Sequence, residues 1–375
     1  MTSVYNLNNK KSHLECKIFL DDVNDGVTVL RFDQVKYPRI QQFRDIQESF
    51  FWRAQEFDLS KDAKDFKHLS AAERHIFESN LFFQIMLDSA NTRAPEKLFG
   101  SLTTLPEVQN FCSAWGFFES IHSFSYTWII RNVYPNPTEV FDRMESIKEI
   151  RDRASSVIKY YDELGSYSDY ISANGYDDTH TKYEHKKKIW LALMAANVLE
   201  GLRFYVSFAC SWAFAERNKM TGNASIIKQI CQDENVHLGF TQYLIKILPS
   251  DDADFAKIAE ETKEECVQMY IDAINQEKNW TKYLFKDGSM LGLNTEVLSN
   301  YVDYIAKKRM DVIGLKLPYH VPSTDPLPWT KNWIGGDKVQ VAPQEQELTS
   351  YLIGNLNKGE GKEKILDNIR SKFTL

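Results

Sequence analysis

Glu-x-x-His occurs twice in this chain, as Glu119 with His122 and as Glu234 with His237, and each copy follows a lone carboxylate in an apolar run. Asp88 lies 31 residues before Glu119, and Glu200 lies 34 before Glu234. Residues i and i+3 share one face of a helix, so the carboxylate and imidazole of each motif can reach the same ion. Four carboxylates and two imidazoles converging between four helices suffice for two metal ions, a constellation already known in helical bundles that hold paired metals. Oxygen and imidazole donors together suit iron or manganese better than copper or structural zinc. A single Glu-x-x-His is commonly just a solvated helix face. Here the flanks are apolar: Trp115, Phe117 and Phe118 precede Glu119, and Ile226, Ile227 and Ile230 precede Glu234. Burying four carboxylates without cations would be costly.

Tyr126 lies one turn beyond His122, with its backbone about 6 Å further along the axis. Phe204 and Phe208 follow Glu200 at i+4 and i+8, and Ile230 precedes Glu234 by one turn, so these three could wall Tyr126 in apolar side chains. Two readings of Tyr126 stand: an ordinary packed core tyrosine, or one that a redox metal pair oxidises and a dry pocket protects. Asp233 points about 100° away from its neighbour Glu234. It could take a proton from a ligand imidazole, or serve as a cap or surface ion pair.

Helices must position these groups. The spacing predicts one from about Pro38 to Phe51. Ser70 and Glu73 form a capping box that opens a helix of about 20 residues containing Asp88. Pro106 suits the first turn of the next, which should run to about Val133 before the break at Pro135 and Pro137. Further helices fit 138–165 and 182–216, with a turn at Asn174 and Gly175. The helix with Glu234 and His237 should start at Gly222 and Asn223 and end at Pro249. Segments 252–284 and 295–313 complete an all-α bundle over 1–317, with 1–30 as an irregular arm. Prolines at 318, 322, 326, 328 and 343, with Gly335 and Gly336, make 318–375 an extended tail.

At 375 residues the chain could hold more than one domain, but only the helical pattern recurs. Its 43% hydrophobic residues, with 18 Tyr, 23 Phe and 8 Trp, can fill a large core. The net charge of -7 argues against a nucleic-acid binder. Cys16, Cys112, Cys210, Cys231 and Cys266 are odd in number and contain no C-x-x-C, which fits reduced thiols in the cytoplasm. The polar N-terminus has no signal-like apolar stretch. Segment 189–214 is long enough to span a bilayer, but Glu200 and Arg203 near its middle would each cost roughly 2.5–3.5 kcal/mol there. A helix apolar on all faces is instead the buried centre of a bundle, and no membrane partner is expected.

The blocks SFFWR (49–53), FFESIHSFSYTWIIRN (117–132), NVLEGLRFYVSFACSWAFAER (197–217), QDENVH (232–237) and VQVAPQEQELTSYLIGN (339–355) carry a family resemblance. From about Arg31 to Asn355 the chain resembles the small, β subunit of class I ribonucleotide reductase, most closely the tyrosyl-radical class Ia. The resemblance implies a ferritin-like homodimer with two iron ions per chain in an oxo-bridged site, with manganese as an alternative. It implies Asp88, Glu119, His122, Glu200, Glu234 and His237 as ligands. It also implies O2 and an external electron donor in assembling the site, and a stable radical on Tyr126. Trp52 and Asp233 match the family's relay away from the metals. Tyr351, with Glu345 near it, matches the tail step that passes the radical to the large, α subunit. There, ribonucleoside diphosphates become deoxyribonucleoside diphosphates. The chain has neither G-x-G-x-x-G nor a P-loop, which agrees with nucleotide binding on that partner. One departure is the tail at 358–372, which is mixed and rather basic where the family's is often acidic. Two rivals share the ligand set: a ferritin-like oxidase acting on a small apolar substrate, and a non-enzymatic iron store or scaffold.

Overall fold

The computed structural model describes residues 11–21, 29–144, 147–290 and 292–335. Tyr351, Glu345 and the tail beyond 335 lie outside the described residues. Helices dominate in this order: α1 (Pro38–Ser49), α2 (Ser60–Lys67), α3 (Ala71–Asn91), α4 (Pro106–Val133), α5 (Pro137–Met144), α6 (Lys148–Asn174), α7 (Thr179–Val198), α8 (Tyr205–Ala215), α9 (Thr221–Asp251), α10 (Ala253–Glu261), α11 (Lys263–Leu284), α12 (Thr295–Val312) and α13 (Lys331–Gly335). Two isolated β-bridges, Phe19 with Thr103 and Met290 with Leu293, are the only β pairing among the described residues.

Four helical strokes frame the centre: α3, α4, the α7–α8 stroke and α9. Helix α4 packs on α3 and α9, and α9 packs on α7 and α8. Helix α1 closes one side against α4 and α9, while α6 covers α7 and α3. The α7–α8 stroke passes through the middle, and its most apolar 18-residue stretch is wholly buried, as expected of a core helix.

Local sequence fixes where these helices start. Ser70 Oγ accepts from the Glu73 N–H at 3.2 Å, and the Glu73 carboxylate accepts from the Ser70 N–H at 3.0 Å, completing the capping box of α3. Pro106 opens α4, where its missing N–H costs nothing. Helix α9 takes its cap from another element: Asp62 of α2 accepts from the Gly222 and Asn223 N–H groups at 3.0 and 2.7 Å. A Cβ on Gly222 would sit 2.6 Å from the Asp58 carbonyl oxygen, so glycine is needed at this close approach.

The structure departs from the sequence-based expectations in six places. Segment 138–165 divides into α5 and α6, and α6 runs on to Asn174. Helix α2 was not foreseen, being only two turns long. Helix α9 continues through Pro249 to Asp251. The last turn survives because Asp252 N–H bonds the Leu248 carbonyl, and Asp251 is anchored by Ile18 N–H, Lys36 and Tyr37. Segment 252–284 divides at Thr262, whose hydroxyl bonds the Ile258 carbonyl at 2.7 Å and turns the chain. Segment 182–216 is interrupted by a π-helical turn at Leu199–Arg203. Finally, 318–335 lies on the bundle and ends in α13: Val321, Leu327 and Ile334 are buried, and Trp333 stacks on Trp212.

Candidate metal centre

All six residues of the carboxylate–histidine set are fully buried at the middle of the bundle. Asp88 comes from α3, Glu119 and His122 from α4, Glu200 from the π turn, and Glu234 and His237 from α9. Their ligand atoms fall into two overlapping groups, each within 4.8 Å. Asp88, Glu119, His122 and Glu234 form one; Glu119, Glu200, Glu234 and His237 form the other. Glu119 and Glu234 belong to both, and the distances show why. Glu119 Oε2 is 3.3 Å from His122 Nδ1 while its Oε1 is 3.2 Å from His237 Nδ1. Glu234 spans the same gap, with Oε1 3.2 Å from His122 Nδ1 and Oε2 3.0 Å from His237 Nδ1. Two shared carboxylates therefore lie between two ends, one finished by Asp88 and the other by Glu200.

Four carboxylates in a dry core need opposite charge. Among the described residues, no lysine or arginine pairs with any of the four. Asp88 Oδ1, Glu119 Oε2, Glu200 Oε2, Glu234 Oε1 and His122 Nδ1 are buried without a hydrogen-bond partner. This is the donor surface a pair of divalent cations would complete, so the residues fit a two-metal centre. The electrostatics agree. Burial, then repulsion from Glu119, pushes the Asp88 carboxyl well above its ordinary range. Burial and the charges of Glu119 and Glu200 push Glu234 the same way. Burial would also raise Glu119, but His122 and His237 overcome it and hold Glu119 at about 2.

Around the cluster, polar side chains hold Asp88, Glu119, His122 and Glu200. Tyr126 is wholly enclosed and donates to Asp88 Oδ2 at 2.7 Å. Burial, then the Asp88 charge, drives its phenol pKa well up. Asp233 Oδ2 lies 3.0 Å from His122 Nε2 and accepts from Trp52 Nε1 at 2.8 Å. The Trp52 ring stacks near that of His122, 6.2 Å between centroids and 22° apart. Asp233 is thus buried against the His122 imidazole and is not a surface ion pair, and Trp52 adjoins it in the core. Phe204, Phe208 and Ile230 are fully buried, and Phe204 stacks on Phe208 at 5.6 Å. The π turn changes the spacing from Glu200: hydrogen bonds there run i to i+5, so Phe204 does not lie one regular α turn above Glu200.

Three partners escaped sequence reasoning. Gln47 donates to Asp233 Oδ1 at 2.7 Å, Trp115 Nε1 donates to Glu119 Oε1 at 2.9 Å, and Asn91 Nδ2 donates to Glu119 Oε1 at 2.7 Å and Glu200 Oε1 at 2.6 Å. Trp115 and Asn91 each follow the helical spacing of a ligand, at four before Glu119 and three after Asp88. That spacing was the available signal. Gln47 had none, being 186 residues from its partner.

Fold and site together define a ferritin-like helical bundle whose core could hold two metal ions. Comparison with known proteins narrows this. The profile of the family described as "Ribonucleotide reductase, small chain" matches residues 30–326. Ribonucleoside-diphosphate reductase 1 subunit beta of Escherichia coli O157:H7 is 46% identical over 341 residues, covering 88% of this chain and 90% of that protein. Ribonucleoside-diphosphate reductase subunit beta of Buchnera aphidicola subsp. Baizongia pistaciae is 44% identical, covering 98% of both. Among solved structures, a ribonucleotide reductase R2 subunit from Clostridium botulinum superposes with a TM-score of 0.76 at 26% identity, covering 88% of this chain and 97% of that one. The chain belongs to the ribonucleotide reductase small-chain family and is an oxidoreductase subunit.

Proposed function

We propose that this protein generates and stores the radical used to reduce ribonucleoside diphosphates, the substrates named for its relatives. Asp88, Glu119, His122, Glu200, Glu234 and His237 would hold two iron ions, and the same donors accept manganese. Bound there, the metal pair supplies activation of O2 and a one-electron oxidant, with an external donor completing the electron count.

One observation carries the reading: Tyr126 Oη sits 2.7 Å from Asp88 Oδ2, and Asp88 belongs to the cluster itself. A phenol that gives up an electron must also shed its proton, and Asp88 Oδ2 is in place to take it. The enclosed core keeps water and reductants from the product. Phe204, Phe208 and Ile230 are the apolar residues we assign to that enclosure. His122 presents Nδ1 to the cluster, so its proton sits on Nε2, the tautomer that Asp233 holds. Asp233 and Trp52 then form a relay out of the site. Tyr351, with Glu345 near it, would extend that relay across to a large subunit. We assign 1–317 to the radical-generating bundle, and the tail of 318–375 to docking on the large subunit through its residues beyond 335, the stretch before that packing along the bundle. We assign the working form to a homodimer, and its place to the cytoplasm.

The test is an electron paramagnetic resonance spectrum after adding ferrous iron and O2 to metal-free protein, with Tyr126→Phe alongside. A tyrosyl signal in the wild type that vanishes in the variant is expected, with metal content unchanged and nucleotide reduction at background. Retained reduction in Tyr126→Phe would remove the radical assignment. Metal uptake and O2 consumption with no radical in either protein would favour manganese as the working metal or an oxidase.

A further inference from the structure

Two buried tyrosines approach the carboxylate cluster and end on different chemistry. Tyr126 Oη donates to a carboxylate, Asp88 Oδ2, at 2.7 Å. Tyr161 of α6 donates to an amide, Asn91 Oδ1, at 3.3 Å. Asn91 is itself bound to the cluster through Nδ2, which reaches Glu119 Oε1 at 2.7 Å and Glu200 Oε1 at 2.6 Å. Tyr161 is therefore one side chain removed from the same centre, on the side of Glu200. Both phenols are buried, so an electron leaves either one readily only if its Oη proton moves to an acceptor at the same time.

The proton acceptors differ in kind. A carboxylate oxygen is a base that a phenol proton can occupy. An amide oxygen accepts a hydrogen bond but is far too weak a base to keep that proton. Nor can Asn91 turn its other end to Tyr161. Its two N–H groups face two carboxylates, and flipping the amide would set Oδ1 against both of them. Carboxylates that accept from Nδ2 thus fix Oδ1 toward the phenol.

We propose that Asn91 determines which tyrosine is oxidised: by offering an amide where Tyr126 meets a carboxylate, it denies Tyr161 a proton acceptor and directs oxidation to Tyr126. The inference rests on the function proposed above. It implies that a carboxylate at position 91 opens a second outlet. Tyr161 would then lose one electron to the oxygen-oxidised metal pair, reducing that pair by one electron. Its Oη proton would pass to the new carboxylate, leaving a neutral tyrosyl radical and a carboxylic acid.

The experiment uses full-length protein loaded with ferrous iron and O2, with metal content measured on each sample. Wild type, Tyr126→Phe, Tyr126→Phe with Asn91→Asp, and that pair with Tyr161→Phe are compared by electron paramagnetic resonance. Tyr126→Phe should show no tyrosyl signal, the Asn91→Asp double variant should show one, and the triple variant should lose it. A Tyr161-dependent radical already present in Tyr126→Phe overturns the proposal. So does a silent double variant that binds metal and consumes O2 while the wild type forms its radical. A wild type without a radical on Tyr126 removes the proposed function instead, and this inference with it. If Asn91→Asp takes up no metal, Asn91→Glu carries the same comparison. Failure of both to load, where Asn91→Gln loads normally, would mean that the amide only spares the cluster a fifth negative charge, and the proposal falls.

Discussion

The two halves of the centre hold charge alike but are wired differently. In each, a lone carboxylate and a Glu-x-x-His pair face the other half, and Glu119 and Glu234 reach across to the opposite imidazole at 3.2 Å. Beyond the ligands the likeness ends. His122 has Asp233 behind it, and Asp233 has Trp52 and Gln47. His237 Nε2 is buried with no hydrogen-bond partner among the described residues. Asp88 accepts a hydrogen bond from the Tyr126 phenol, whereas Glu200 lies on a π turn and accepts one from the Asn91 amide. Both routes by which a proton or electron could leave thus open from the side of Asp88 and His122. On the proposed function, duplicate ligands would keep two ions in place and one-sided partners would decide where oxidising power goes. A π turn inside a helix is a recurrent mark of function, and here it sets the ligand of the unwired side.

The largest effect should come from breaking what the halves share. His122→Ala and His237→Ala are each expected to lower bound metal by at least one ion per chain, measured on protein reconstituted with excess ferrous iron. Full occupancy in either variant would mean that the two halves do not hold metal in the same way. A smaller and one-sided effect is expected at Asp233. Asp233→Asn keeps the shape but replaces a carboxylate behind His122, and residues behind a ligand histidine are typically worth about 10–100-fold in metal affinity or activity. Reductase turnover with the large subunit should fall by about that factor, while the Tyr126 signal still forms. If the signal disappears along with turnover, Asp233 serves the centre itself and the relay is not one-sided.

How much of this could be read from sequence follows the same division. Ligand spacing is local, so Asp88, Glu119, His122, Glu200, Glu234 and His237 stood out, as did the capping box at Ser70 and Glu73 and the start of α4 at Pro106. What joins the halves is not local. Gln47 meets Asp233 across 186 positions, and Asn91 spans 28 to Glu119 and 109 to Glu200. An isolated glutamine on a buried face carries no periodic signal of its own, and the i+3 spacing of Asn91 from Asp88 does not reveal its reach to Glu119 and Glu200. Trp52 came from family likeness, since its burial and its bond to Asp233 depend on packing between α1, α4 and α9. The π turn was invisible because its residues, Leu199–Arg203, suit an α-helix equally well. Pro249 misled for the opposite reason: a residue that usually ends helices is outvoted by the contacts of Asp251.

The smallest effect concerns a tie between the halves far from the metals. Glu73, in the first turn of α3, pairs with Arg217 at 2.9 Å and Lys219 at 3.0 Å, just before α9. Burial alone would raise its carboxyl, but the Ser70 N–H, Lys219 and Arg217 bring it from 4.5 down to about 2. A carboxyl depressed on folding stabilises fully above its unfolded pKa, near 4.5, and loses that contribution as pH falls toward 2. Glu73→Gln keeps the capping box but removes the charge, and should therefore cost up to about 1 kcal/mol near neutral pH, the scale of a part-exposed ion pair. The gap in melting temperature between wild type and variant should narrow steadily from pH 6 toward pH 3. A gap that stays constant over that range would mean that Glu73 holds the two halves by shape alone, and that the charges of Arg217 and Lys219 add nothing.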